Sequence, residues 1–478
     1  MRNGKETLTY ITNQIRSVCK EFKNRCGGSP SERACQKHFF RELAKYADTV
    51  REEMFSFHPK AFMGWIIPCG ILNVLAVALY WLRAFSASIL IPIAGSAFVT
   101  LSLLTFVFEF FLYRRFTDAF YPKGTSVNVY ASRKPRGEVR RRIIFGGHAD
   151  AAYEMTYCLQ NNVKRMYAVF YGSVAGVIYV LLLNAATLIA TLALGPVPLS
   201  GIPAALGIAA AGFVPFFIAS MFFINWSRVV DGANDNLTGC LVSLSVLREM
   251  FITGERLEHT EVCCLITGCE EEGLRGAAAF AEANKAELRG VETIFIAVET
   301  LRETGQLKVY TRGINGTQKN SEDAGKLLQQ AGRRRGIHLP IAGWYPGATD
   351  AEAFSREGIA SCGLCGVDHI PKTYYHTRHD NPDNMDEGCI RASLEICLET
   401  ARLYDKLGGL IAAEGQRRVG QAAEAARGED RRRRAVAMRV KAAGMAIDRI
   451  CSNADVPKTR PTGVRRNHRT ALAYSPRP

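Results

Sequence analysis

The chain has 478 residues, enough for one α/β catalytic domain and additions to it. Only 22% of them are charged although the formal net charge is +15, so the charge is unevenly placed. Sixteen basic and six acidic residues fall in the Arg-, Ala- and Gly-rich stretch 413–478, a net of +10. The remaining body is therefore not strongly basic, which argues against nucleic acid as a partner.

Residues 1–61 read as soluble and mostly helical. Leu8, Ile11, Ile15 and Val18 recur at helical spacing, a second helix is expected near Ser31 to Tyr46, and Val50 to Phe57 suits a strand. No charge occurs between Lys60 and Arg83, and Phe62 to Leu82 is long enough to cross a bilayer core. A second uncharged run, Ala84 to Phe108, makes 62–113 a transmembrane hairpin. The roughly 60 polar residues ahead of it argue against a cleaved signal peptide.

Strands are expected in 114–165, at Thr125 to Ala131 and Arg142 to Phe145. From Met166 to Ser227 there are 62 residues without Asp, Glu, Lys or Arg, turned near the middle by Gly195-Pro196-Val197-Pro198. Helices of soluble proteins seldom stay uncharged so long, because one face meets water. The stretch 166–227 therefore reads as a second hairpin, and the lipid bilayer as a partner. Eleven basic residues between Arg114 and Arg165, against Arg83 alone in one opposite turn and none in the other, predict cytoplasmic termini and a cytoplasmic catalytic domain.

Residues 228–412 alternate helix and strand: Leu237 to Phe251, Glu261 to Thr267, Gly276 to Asn284, Val291 to Val298, Asp323 to Gly332 and a closing helix from Ile390 to Leu410. That order predicts an α/β fold, a mixed sheet flanked by helices, with four inserted transmembrane helices in two hairpins. The tail 413–478 reads as solvated and disordered, with contact to anionic lipid as the second reading. Fourteen cysteines fit reduced thiols, and Cys362-Gly-Leu-Cys365 reads as part of a strand, since no second pair completes a four-ligand zinc site.

Five short segments carry the chemistry. They are Gly147-His148-Ala149-Asp150, Gly232-Ala-Asn-Asp235-Asn236, Gly268-Cys-Glu270-Glu271, Val298-Glu299 and Tyr375-His376-Thr377, each at a strand end or helix start. Two histidines and several carboxylates form a donor set that zinc accepts, and two zinc ions need a shared carboxylate to stay close together. In an adjacent Glu-Glu pair, one carboxylate can bind metal while its neighbour takes a proton.

In order and spacing these segments resemble the co-catalytic zinc exopeptidases of metallopeptidase family 28. The resemblance covers about 1–61, 114–165 and 228–412, and it implies metal ligation by His148, Asp235 (bridging), Glu271, Glu299 and His376. It further implies Asp150 as the residue orienting His148, Glu270 as general base and Tyr375 as a stabiliser of the tetrahedral intermediate. Glu299 stands where the family more often has aspartate, which leaves one zinc ion open beside the expected two. His148 and Asp235 lie 87 positions apart, and removing the uncharged run of 62 leaves 25, so the second hairpin reads as an insertion between neighbouring site elements. The activity expected is that of a membrane-embedded aminopeptidase acting on peptides, ahead of a carboxypeptidase. A glutaminyl-cyclase-like enzyme with one zinc, and a non-catalytic receptor or scaffold, are the alternatives.

Overall fold

In the computed structural model residues 4–159, 163–367 and 374–407 are described. The expectations for the tail 413–478 lie outside them. Two helices, Gly4–Glu21 and Pro30–Leu43, open the chain. The second begins where Ser29 accepts a hydrogen bond from the Glu32 N–H, with proline in its first turn, where a missing N–H costs nothing.

The strands are β1 (Thr49–Phe57), β2 (Gly124–Arg133), β3 (Arg141–His148), β4 (Tyr153–Met155), β5 (Ile224–Val229), β6 (Thr260–Thr267), β7 (Glu292–Leu301), β8 (Leu307–Gly313), β9 (Gln318–Lys319), β10 (Ile341–Gly343) and β11 (Ala360–Gly366). Nine of them form one mixed sheet in the order β1-β2-β6-β3-β7-β11-β8-β10, with β9 on β8. The four central strands β6, β3, β7 and β11 are parallel. They are apolar along their length because both faces are covered. On one face the helix Thr238–Ile252 packs with the N-terminal helices and the closing helix 387–407. The helices Arg275–Ala283 and Asp350–Arg356 cover the other.

Among the described residues four helices are long and apolar enough to cross a membrane: Ala61–Leu82, Leu90–Phe111, Lys164–Leu194 and Ile202–Met221. Ala76, Tyr80, Val99, Val180, Ala210 and Phe217 form a core among them, while Leu75, Leu101, Leu182 and Ile189 are exposed on their outer surface. An apolar exterior of this kind suits lipid. The first pair lies between β1 and β2 and the second between β4 and β5, so all four leave the α/β domain and return to it. At the far turns, Arg83 donates to the Val197 carbonyl at 2.8 Å.

The uncharged run 166–227 and the helices differ at both ends. The third span begins earlier and takes in Lys164 and Arg165, and the fourth ends at Met221. The uncharged residues beyond it enter β5, which pairs with β4 in a separate two-stranded sheet. Absence of charge marks the run as apolar but does not tell a helix in lipid from a short strand at the domain surface. Strands β4, β5, β8, β9 and β10 and the helix Asp350–Arg356 are short elements that periodicity did not single out.

One buried ion cluster ties the membrane bundle to the domain. Glu109, at the end of the second span, accepts backbone N–H bonds from Phe116 and Thr117 and lies 3.2 Å from Arg275, which also grips Asp118 at 2.8 Å. Removing one member of such a cluster leaves charge buried without a partner. Arg275→Ala is therefore expected to cost about 3 kcal/mol or more, read as a lowered unfolding midpoint in detergent. A second test uses exposed positions at the two ends of the first hairpin. Phe85→Cys and Phe120→Cys, at residues 88% and 84% exposed, should react with an impermeant maleimide from opposite faces of sealed vesicles.

Candidate metal centre

The carboxyl ends of the central parallel strands meet at one place, as ligand-binding ends do in open α/β sheets. His148 closes β3, Glu270 and Glu271 follow β6, Glu299 lies near the end of β7, and Tyr375 and His376 come in the segment after β11. Asp235 arrives from the turn before the helix Thr238–Ile252. That helix approaches closely because its Gly239 and Gly147 of β3 lack side chains. A Cβ on Gly147 would sit 2.6 Å from the Cys240 nitrogen, and one on Gly239 2.0 Å from the Val298 oxygen.

Asp235 stands between the two histidines. Its Oδ1 is 3.3 Å from His148 Nε2, and its Oδ2 is 3.0 Å from His376 Nε2. Glu299 Oε1 lies 3.2 Å from His148 Nε2 on the first side, and Glu271 Oε1 lies 3.4 Å from His376 Nε2 on the second. Among the described residues three groups of possible ligand atoms result: His148-Asp235-Glu299 and Asp235-Glu271-His376, which share Asp235, and His148-Glu270-Glu271. Glu270 Oε2 is 3.9 Å from His148 Nε2, beside the first group.

Buried partners hold these side chains in place. His148 turns Nδ1 toward Asp150, 3.3 Å from its backbone oxygen and 3.4 Å from Oδ1, which leaves Nε2 facing the cluster. The Asp150 carboxylate also accepts the backbone N–H groups of Glu270 and Glu271, both at 3.1 Å. The Asp380 carboxylate accepts those of Asn234 and Asp235 at 2.8 and 3.1 Å. Arg25, 1% exposed, donates to the carbonyls of Ala149 and Asp231 and so joins the His148 turn to the Asp235 turn. Glu154 of β4 pairs with Arg378, and the Met155 N–H donates to the His376 carbonyl, so the root of the second hairpin carries the His376 segment. Sequence reasoning passed over Arg25 and Glu154, because single charged residues in ordinary segments reveal nothing until their distant partners are known.

The electrostatics are those of a site short of positive charge. Burial lifts the carboxyls of Glu271 to about 8 and Glu299 to about 7, against the opposing pull of the histidines. Burial also raises Glu270 well above its ordinary range, and Asp350 to about 6. His376 is raised to about 9, because Glu271 and Asp235 outweigh the effect of burial. His148 is raised well above its usual value, with Glu299 and Glu270 the main opponents of burial.

Asp235 Oδ2, Glu271 Oε1 and His376 Nδ1 are buried without a hydrogen-bond partner. The two carboxylate oxygens lie 3.0 and 3.4 Å from His376 Nε2, and unsatisfied buried acceptors so placed are what a cation would satisfy. Two imidazoles with carboxylates fit zinc, whose ligand sets combine His with Asp or Glu. The residues present therefore fit the metal.

Residues 220–401 match the sequence profile of peptidase family M28. The matched residues include Asp235, Glu270, Glu271, Glu299, Tyr375 and His376, whereas His148 and Asp150 lie ahead of the match and are brought to it by the fold. No curated protein matches the chain. Among solved structures, the chain is similar to an aminopeptidase from Aneurinibacillus sp. strain AM-1, at 14% identity and a TM-score of 0.48, over 84% of this chain and 94% of that one. It is similar also to BSAP, a zinc aminopeptidase from Bacillus subtilis, at 12% identity and a TM-score of 0.48, over 84% and 95% of the two chains. A glutaminyl cyclase from Fimbriiglobus ruber gives 11% identity and a TM-score of 0.48, over 83% and 94%. Likeness of that degree assigns no activity. The M28 match and the donor set support a zinc metallopeptidase.

The M28 segment supplies the test of how the site is held. Asp380→Ala removes the acceptor of the Asn234 and Asp235 N–H groups and is expected to weaken zinc binding ten- to hundredfold, read by competition with a chromogenic chelator.

Proposed function

We propose that this chain is a membrane-embedded zinc aminopeptidase with its catalytic domain and termini on the cytoplasmic side. The observation that carries the reading is the position of Asp235, with one carboxylate oxygen toward each histidine and a further glutamate beside each pair. His148, Asp235 and Glu299 would hold one zinc ion and Asp235, Glu271 and His376 a second. Zinc, when bound, lowers the pKa of coordinated water toward neutrality and polarises a carbonyl oxygen.

Glu270 lies 3.9 Å from His148 Nε2, grouped with His148 and Glu271 but outside the two groups that share Asp235. It takes a proton from the attacking water as the water oxygen bonds to the carbonyl carbon, then returns that proton to the nitrogen as the C–N bond breaks. Tyr375 stacks on His376 with ring centroids 4.1 Å apart and lines the cavity in front of the site. Burial raises its hydroxyl well above the usual value, so it stays protonated and able to donate to the developing oxyanion.

The preference for an amine end rests on charge. The cavity, of about 400 Å³, includes Glu270, Glu271, Glu272 and Glu299 in its walls, and among the described residues no Lys or Arg lines it. An α-amine finds carboxyl acceptors or metal in such walls, while a substrate carboxylate finds no ammonium or guanidinium among the described residues there. The cytoplasmic side follows from the eleven basic residues of 114–165.

Wild-type protein is expected to hold two zinc ions per chain by elemental analysis, and Asp235→Ala fewer than one. Glu270→Gln should keep its zinc while hydrolysis of free-amine peptides falls by about 10² or more, and undiminished hydrolysis overturns its role. Tyr375→Phe should lower kcat by about 10² with little change in KM. Amino-blocked peptides should resist cleavage. Product mass gives the contrary result, since loss of ammonia from N-terminal glutamine without chain cleavage would make the chain a cyclase.

A further inference from the structure

The cavity in front of the metal centre is walled on one side by the ends of the membrane helices. Phe62 and Met63 come from the start of the first span, Phe110 from the end of the second, Tyr167 and Phe170 from the start of the third, and Phe223 follows the fourth. A second cavity, of about 130 Å³, lies among the span helices themselves, lined by residues such as Ile66, Cys69, Val174 and Phe217. Met63, Phe110, Phe170 and Phe223 belong to the walls of both. The rings of Phe110 and Phe170 stand 6.5 Å apart and tilted.

The inner cavity offers little polarity. Ser173 and Ser220 donate their hydroxyls to the carbonyls of Phe216 and Phe217, and Asn73 donates to Ser102 at 2.9 Å. Apart from the Asn73 amide oxygen, which has no partner, what faces the space is hydrocarbon, aromatic ring and thiol. An α-helix with its side chains is about 10 to 12 Å across and cannot enter a space of this size, whereas a single hydrocarbon chain can. A transmembrane peptide segment is thereby excluded as the occupant.

We propose that the substrate of this site is an amphiphilic amide with a free amine and one long hydrocarbon chain, whose polar end meets the metal centre while the chain passes Phe110 and Phe170 into the span bundle. The inference rests on the amide-hydrolase reading above and adds the class of substrate to it. The membrane hairpins then form part of the substrate site as well as an anchor, and a substrate dissolved in the bilayer reaches the metal centre without leaving lipid.

The chain can belong to the acyl side or to the leaving amine, and two substrate series in nanodiscs separate these sources. One is leucine n-alkylamides with butyl, octyl and dodecyl chains, and the other is p-nitroanilides of 2-aminoalkanoic acids with methyl, hexyl and decyl side chains. In one series kcat/KM is expected to rise with chain length, up to about fourfold per methylene buried and at least tenfold from the shortest to the longest member. Val174→Trp fills the inner cavity and should collapse that long-to-short ratio. Native mass spectrometry should retain n-dodecylamine on the wild-type chain and not on Val174→Trp.

Flat chain-length dependence in both series, with short free-amine peptides still cleaved, overturns the substrate class and leaves the peptidase reading standing. Equal retention of dodecylamine on both proteins overturns the placement of the chain. If zinc-loaded protein hydrolyses neither series nor any short peptide, the amide-hydrolase reading fails, and the substrate class fails with it.

Discussion

The carboxylate of Asp235 is held between two imidazoles, 3.3 Å from one and 3.0 Å from the other, and the rest of the centre is arranged around that position. The two histidines beside it hold it ionised well below its ordinary range in spite of burial. For the carboxylates beside it burial outweighs the pull of the same histidines and drives their pKa values upward. A cluster of buried acids around one shared carboxylate is stable only with positive charge added, and two histidines supply too little. The same imbalance that suits the site to zinc makes it depend on the carboxylates and backbone behind it. Asp150 and Asp380, both fully buried, fix the turns that present Glu270, Glu271 and Asp235.

The four apolar helices are joined to this arrangement at its most sensitive points. The second hairpin leaves the domain between His148 and Asp235, and its roots form the small β4–β5 sheet whose Glu154 and Met155 hold the His376 segment. The first hairpin ends at Glu109, locked to Arg275 a few residues after the Glu270-Glu271 turn. Tilting of either hairpin would therefore be felt by metal-facing groups through short, buried connections. A hairpin inserted only as an anchor would not need its roots in the metal site.

Much of this was legible beforehand because it depends on local pattern. The parallel strands announced themselves as apolar runs, and the uncharged segments as long apolar helices. The His148-Ala-Asp150, Asp235-Asn236 and Glu270-Glu271 segments carried chemistry in adjacent residues, so their side chains could be singled out without a fold. The short elements escaped notice for the opposite reason. Three-residue strands such as β4 and β10 have no room for a period, and β5 shares the uncharged composition of the span before it.

By itself, then, the sequence determined the alternation of strands and helices, the two apolar hairpins and the residue types able to bind zinc, since each is written in neighbouring residues. Only the tertiary structure decided that Asp235 divides its two oxygens between His148 and His376, that Arg25 and Glu154 tie the turns together, and that the metal-facing cavity borders an apolar space within the bundle. Those facts depend on groups up to more than two hundred positions apart, and whether such groups meet is fixed by how the sheet and helices pack, to which local pattern is blind.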